Sequence, residues 1–250
     1  TLIQRNLVTL GRTIADAVRL RTMSRHELNR LVRFEGVKHF HDALSEGRGA
    51  LLLSAHVGNW EVLSAALCLA GIPLNVVARR PDDAVLADNL EQLRGRWGAH
   101  TIWRDRGMLP VMRALRRNEV VAVLIDQATD VPGAYLPFLG VPAFTPTGPA
   151  RLALRTGVPV IPAHIRETDD GYVAVVEPRF ECKTVDEHDL TEAWNEMIGS
   201  WIREAPESWV WIHDRWARKA WTRVTRAAVV AVMTVMCVGC QEIEPEPEAP

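Results

Sequence analysis

Within the stretch Ser54-Ala55-His56-Val57-Gly58-Asn59-Trp60-Glu61, an imidazole follows a short apolar run and a carboxylate stands five positions further on. That offset does not align two side chains on one helix face. A corner from strand to helix can bring them together. Gly58 lets the backbone turn, Asn59 can cap the helix that follows, and Glu61 falls in its first turn, near the positive end of the helix dipole. There its carboxyl stays ionised. An ionised carboxylate bonded to one ring nitrogen of His56 fixes the tautomer and leaves the other nitrogen as a general base. As a bare pattern H-x4-E is weak, since two satisfied surface residues give the same letters; its place at the end of a strand is what favours chemistry.

A protein nucleophile is hard to find. No G-x-S-x-G elbow occurs, and Ser54 lies inside the apolar run. None of Cys68, Cys182, Cys237 and Cys240 sits at a strand end beside an activating His in sequence. A base at His56 therefore calls for an external nucleophile, a substrate hydroxyl or water, and for direct attack without an acyl-enzyme. Neither a P-loop nor G-x-G-x-x-G is present. Cys237 and Cys240 form a C-x-x-C without a second pair, so no metal site is expected. The cysteines are too few and scattered for a disulfide framework, which favours a reducing compartment.

The elements that must position these residues follow from periodicity. Ile3, Leu7, Leu10, Ile14 and Val18 recur at helical spacing with Arg5, Arg12 and Arg19 on other faces, a basic amphipathic helix that either docks on a core or meets a membrane surface. Ser24 and Glu27 form a capping box for a second helix, and a third is expected over 37–46. Short apolar runs then alternate with amphipathic ones: strands at 50–55, 74–78, 100–103 and 120–125, helices at 59–70, 83–97 and 109–116. This alternation predicts an α/β fold with a mixed, largely parallel central sheet and helices on both faces, functional residues gathering beyond the strands' C-terminal ends. The stretch with Pro132, Pro137, Pro142, Pro146 and Pro149 reads as an ordered loop before a helix at 150–155. A hairpin is expected from 158–165 through Asp169-Asp170-Gly171 to 172–176, then a helix over 189–204.

Here a resemblance joins the pattern. His56 to Glu61 resembles the H-x4-D/E block of the glycerolipid acyltransferase superfamily, and H-V-G-N-W-E in particular that of the bacterial lipid A biosynthesis acyltransferases. Arg79-Arg80-Pro81 resembles a further block of that family, as do Asp126-Gln127, Phe138 to Ala143 with Thr145, Gly157 to Pro162, and Ala205 to His213. The likeness covers roughly residues 1–220. Any one block is common, whereas six in order are specific. The resemblance implies transfer of a fatty acyl chain from an acyl carrier protein thioester to a hydroxyl of a lipid A precursor, without a cofactor, at the cytoplasmic face of a Gram-negative inner membrane. His56 and Glu61 are then the catalytic pair, with Glu61 orienting His56. Arg79, Arg80, Arg104, Asp126 and Gln127 are the substrate-binding candidates, Arg80 for a phosphate or the developing oxyanion. His164, His188 and His213 read as structural or surface residues.

Composition is that of an ordinary globular protein: 250 residues, 48% hydrophobic and 24% charged, with 29 Lys+Arg against 31 Asp+Glu. The last ten residues hold four of the acids and no base, which leaves the remainder near neutrality and argues against nucleic acid as a partner. Trp209, Trp211, Trp216 and Trp221 alternate with Arg215, Arg218, Lys219, Arg223 and Arg226, a mixture suited either to lipid headgroups or to a core with solvated bases. An anionic membrane surface is thus an expected partner. The expected acyltransferase domain runs over 1–226, its first 49 residues helical, followed by an apolar, then Glu/Pro-rich appendage at 227–250 expected to be disordered. Family members ordinarily carry a membrane-spanning segment ahead of the domain; the chain opens on Thr1 rather than Met, so its start is silent on what precedes it. The rival readings are an acyltransferase acting on another glycolipid or a lysophospholipid, a thioesterase using water, and a non-catalytic membrane-binding module.

Overall fold

The computed structural model describes residues 1–216. The boundary at 226, the bases from Arg218 to Arg226, Trp221, the C-x-x-C and the tail at 227–250 lie outside the described residues. Three helices open the chain, α1 (Leu2–Arg19), α2 (Arg25–Leu31) and α3 (Lys38–Ser45), with a short strand β1 (Val32–Glu35) after the second. Then β2 (Ala50–Ser54), α4 (Trp60–Leu69), β3 (Leu74–Ala78), α5 (Ala84–Trp97), β4 (His100–Trp103), α6 (Leu109–Arg116) and β5 (Val120–Leu124) alternate as expected. The hairpin β6 (Gly133–Phe138) and β7 (Val141–Pro146) leads to α7 (Gly148–Thr156), β8 (Val160–Thr168), β9 (Gly171–Val176) and α8 (Glu187–Glu204).

Seven strands form one sheet in the order β1-β9-β8-β2-β5-β3-β4. The five from β8 to β4 are mutually parallel, β9 turns back antiparallel to β8, and β1 runs parallel to β9. The fold is therefore α/β with a mixed, mostly parallel sheet. Central strands buried on both faces should read as unbroken apolar runs, and β2 (Ala-Leu-Leu-Leu-Ser) and β5 (Val-Val-Ala-Val-Leu) do. Their side chains alternate between two cores. Ala50, Leu52, Val120 and Ala122 face one built with Phe40, Val62, Leu67 and Trp97; Leu51, Leu53, Val121 and Val123 face the other, with Ala114, Ala150, Trp194 and Ile198. Crossovers thus leave β2 by α4 on one face and β5 by α7 on the other, which opens a crevice above the C-terminal ends of two adjacent strands.

Two departures from the sequence reading are local. The Pro-rich stretch is not a loop but the β6–β7 ribbon, closed by Leu139 and Gly140 at φ 51° and 82°. Positive φ at both turn residues is the geometry of a two-residue hairpin turn. Pro137 stands opposite Pro142 in the register, and a two-stranded ribbon tolerates them because each strand keeps a free edge. The short edge strand β1 was not expected; only four residues long, it follows α2 directly.

Helix α1 docks through a face that only partly overlaps its apolar stripe, with Leu10, Ile14 and Val18 half-buried. Asn6, Thr13 and Ala17 are buried, whereas Ile3 is 72% and Leu7 58% exposed. Its bases are engaged: Arg5 with Glu207, Arg12 with Glu167 and Arg19 with Asp16.

Candidate functional site

The register of β2 on β5 sets Ser54 opposite Leu124, at a constant offset of 70 residues. Two residues beyond each, on the same offset, His56 and Asp126 face one another at the crevice. His56 Nδ1 lies 2.9 Å from Asp126 Oδ1, and the His56 backbone N–H donates to Oδ2 at 3.0 Å. Asp126 is fully buried and His56 partly open, its ring edge-on to Trp60 at 4.8 Å. Burial alone would raise the Asp126 carboxyl; the charge and hydrogen bonds of His56, with that of Trp209, outweigh it and push it down to about 2. An ionised Asp126 obliges Nδ1 to donate, so Nε2 carries the lone pair.

The loop between His56 and α4 depends on Gly58, at φ 65°. A Cβ there would stand 2.1 Å from the carbonyl oxygen of Ile165 on β8. Asn59 caps α4 by accepting from the Val62 N–H, and its amide donates to the Thr13 carbonyl of α1 at 3.0 Å.

Glu61 is bonded to a partner other than His56. Its carboxylate accepts from Arg94 of α5, Nη2 at 2.6 Å and Nε at 3.0 Å, a bidentate pair almost wholly out of water. Burial works to raise the Glu61 carboxyl, but the Arg94 charge and hydrogen bonds, with the charge of His56, hold it below the ordinary carboxylate range. The carboxylate bonded to the imidazole is that of Asp126, which the sequence reading placed among substrate contacts. The competing fact is strand register, which brings together residues 70 apart.

The other expected residues line the same rim. Arg79 and Arg80 follow β3, Arg104 follows β4, and half-buried Gln127 follows Asp126. Arg79 bonds Asp82 at 3.3 Å, Arg80 lies 6.0 Å from the Trp103 ring centroid, and Arg104 bonds Asp130. His164 is buried on β8, stacked on Trp201, and burial with the nearby Arg166 charge depresses it to about 4. Among the described residues no group of His, Cys, Asp or Glu is arranged to hold a metal.

The segment 206–215 closes the crevice from the far end of the chain. Val57 and Trp209 form an antiparallel bridge, with Gly58 N–H donating to Ser208 O at 2.9 Å and Val210 N–H to His56 O at 3.2 Å. The Trp209 indole N–H donates to Asp126 Oδ2 at 2.8 Å. His213 Nε2 accepts from the Ala128 N–H at 2.9 Å, and burial, with the charges of His56 and Arg215, depresses it to about 4 against the pull of Asp126. Arg215 is buried too, bonded to Phe144 O and Thr145 Oγ1, and burial lowers it to about 10 although Asp126 opposes this. Trp209 is therefore core rather than headgroup-facing, while Trp211 stays 38% exposed. Sequence reasoning matched this block by resemblance yet gave its tryptophans no part in the site.

A buried carboxylate on an imidazole, at the switch point of a parallel sheet, is an arrangement for taking a proton from a hydroxyl. Residues 1–218 match the family model for bacterial lipid A biosynthesis acyltransferases. The chain belongs to this family. It is an acyltransferase by membership, and its relatives differ in acceptor. It is similar to the phosphatidylinositol mannoside acyltransferase of Mycobacterium tuberculosis (strain CDC 1551 / Oshkosh), 28% identical over 217 residues, 84% of this chain and 69% of the relative. The Mycolicibacterium smegmatis protein of the same name is 26% identical over 219 residues, 86% of this chain and 72% of the relative. The lipid A biosynthesis lauroyltransferase of Escherichia coli (strain K12) is 30% identical over 186 residues, 72% of this chain and 60% of the relative.

Proposed function

We propose that this protein moves an acyl group from a thioester, carried by acyl carrier protein, onto a hydroxyl of a glycolipid, with His56 as general base and Asp126 as its partner. One observation carries the reading: the 2.9 Å contact of His56 Nδ1 with an ionised, buried Asp126. It leaves Nε2 free to accept the hydroxyl proton as the oxygen attacks the thioester carbonyl. The new C–O bond forms, the C–S bond breaks, and the proton passes from Nε2 to the departing thiolate. Asp126 steadies the imidazolium between these events. Arg79, Arg80, Arg104 and Gln127, on the same rim, are proposed to receive the anionic parts of the two substrates.

The acceptor reading shifts from a lipid A precursor alone to glycolipids more broadly. The longer matches are to enzymes named for phosphatidylinositol mannoside, which makes a mannosylated phosphoinositide the first acceptor to try and a lipid A precursor the second. A lipid acceptor requires contact with a membrane surface, and the exposed Ile3, Leu7, Val8, Trp211 and Ile212 are the side chains proposed for it. Among the described residues no helix is long and apolar enough to cross a membrane.

The test supplies palmitoyl and lauroyl carrier-protein thioesters with each acceptor. Parent protein should form the acyl ester with one of them, and His56→Ala and Asp126→Asn should each lose roughly 100-fold or more. Release of free fatty acid without ester would replace the transferase reading with hydrolysis; near-normal transfer by either variant would remove the proposed base.

A further inference from the structure

We infer that Trp209 is a positioning residue, holding Asp126 in the one orientation that serves His56; this rests on the general-base reading above. Asp126 offers two oxygens. Oδ1 takes the imidazole, and Oδ2 takes the His56 backbone N–H and the Trp209 indole N–H. The first of the Oδ2 donors belongs to the same residue as the imidazole, so it moves with it. Among the described residues the indole is the donor that fixes the carboxylate from outside the His56 loop. Without it the carboxylate can turn about its side-chain bond and let Oδ2 compete for Nδ1–H, which loosens the ring whose Nε2 must meet the hydroxyl.

Trp209 itself is held firmly. Its side chain is buried against Phe138, Trp211 and Trp216, with ring centroids 5.6, 4.7 and 5.9 Å away. Its backbone bridges Val57, next to the imidazole, and its carbonyl accepts from the Asn6 amide of α1 at 2.7 Å. A side chain clamped on both sides of the ring it serves transmits that rigidity to the carboxylate. The buried core offers its own control. Trp194 lies in the same apolar cluster as Trp209 and is equally buried, yet its indole N–H has no acceptor among the described residues. Trp→Phe at 194 therefore removes ring volume alone, while Trp→Phe at 209 removes ring volume and a hydrogen bond to Asp126.

The experiment compares Trp194→Phe, Trp209→Phe, Asp126→Asn and the double variant Trp209→Phe/Asp126→Asn, using the acceptor that the parent acylates. Trp209→Phe should lower kcat about tenfold more than Trp194→Phe, with KM within twofold of the parent and the acid limb of the kcat profile displaced. In the Asp126→Asn background the same change should cost nothing further, because the carboxylate it positions is gone. Equal kcat and equal pH profiles for the two Trp→Phe variants would overturn the inference while Asp126→Asn still reported the base. Full activity of Asp126→Asn would instead bring down the general-base reading, and this inference with it. Should Trp209→Phe not fold, the parent carries the test by NMR. The Trp209 indole N–H signal must then share the pH midpoint of the His56 ring signals, and a signal that ignores that midpoint overturns the inference.

Discussion

At the scale of the residue, Glu61 is bonded to Arg94 rather than to the imidazole, in a pair almost wholly out of water. Cutting the pair with Arg94 leaves a charge buried without compensation, a loss of about 3–5 kcal/mol in comparable settings. Glu61→Ala and Arg94→Ala should each lower the denaturation midpoint sharply, and the double variant should lose much less than their sum. Denaturant titration of the four proteins measures this. Additive losses would show that the two side chains act separately. His56 and Glu61 stand out in sequence because they are close in the chain. The Asp126 that meets the imidazole is 70 residues away and legible as the end of an apolar strand and as a block of the resemblance, but its pairing with His56 waits on the register of β2 and β5. Trp209 was hidden differently. An aromatic among bases suits a headgroup as well as a core, and only burial separates the two.

Among the elements, α1 departs furthest from its sequence pattern. The stripe Ile3, Leu7, Leu10, Ile14 and Val18 suits either a docked face or a membrane surface; Asn6, Thr13 and Ala17 are the buried residues, Leu10, Ile14 and Val18 are half-buried, and Ile3 and Leu7 are exposed. Asn6 outweighs the stripe because its amide satisfies two carbonyls, of Glu207 and Trp209, at the turn above the site. The apolar residues at the start of α1 are left outward and the bases are held in ion pairs. Vesicle binding should therefore fall by severalfold with Ile3→Gln/Leu7→Gln and much less with Arg5→Gln/Arg12→Gln/Arg19→Gln. Sedimentation with anionic vesicles at low and high salt distinguishes these. A larger loss from the arginine changes, abolished by salt, would assign the contact to charge. The remaining helices and the central strands were readable from their period, which the caps Ser24, Asn59 and Asp83 support at α2, α4 and α5. The β6–β7 hairpin was not, since proline is a poor strand signal and its tolerance at a ribbon's free edges is decided by tertiary structure.

At the scale of the molecule, two imidazoles, His164 buried and His213 half-buried, couple stability to acidity. His164 and His213 titrate near 6.5 when unfolded and are both depressed to about 4 in the folded protein. Between those values the unfolded chain binds more protons, so the native state weakens as pH falls from about 6.5 toward 4 and is strengthened by neither group above that window. Urea midpoints at pH 7.5, 5.5 and 4.5 should decline in that order, and His164→Phe should flatten the slope by a part. An unchanged slope would place the acid sensitivity elsewhere.

The strand order has a consequence for how the chain is made. β5 lies between β2 and β3 yet leaves the ribosome after both, and after β4. At ordinary translation speeds of about 5–20 residues per second, roughly 3–14 s separate the emergence of β2 from that of β5. From the emergence of β2, and then of β3, until β5 follows, the edge of each strand that β5 will cover is bare. Nascent chains halted before residue 120 should accordingly be captured by chaperones and cut readily by protease, and those halted after α8 should resist. The strand that delivers Asp126 to the imidazole is thus also the keystone of synthesis: until it arrives neither the His56–Asp126 contact nor the cover on the facing edges of β2 and β3 can form.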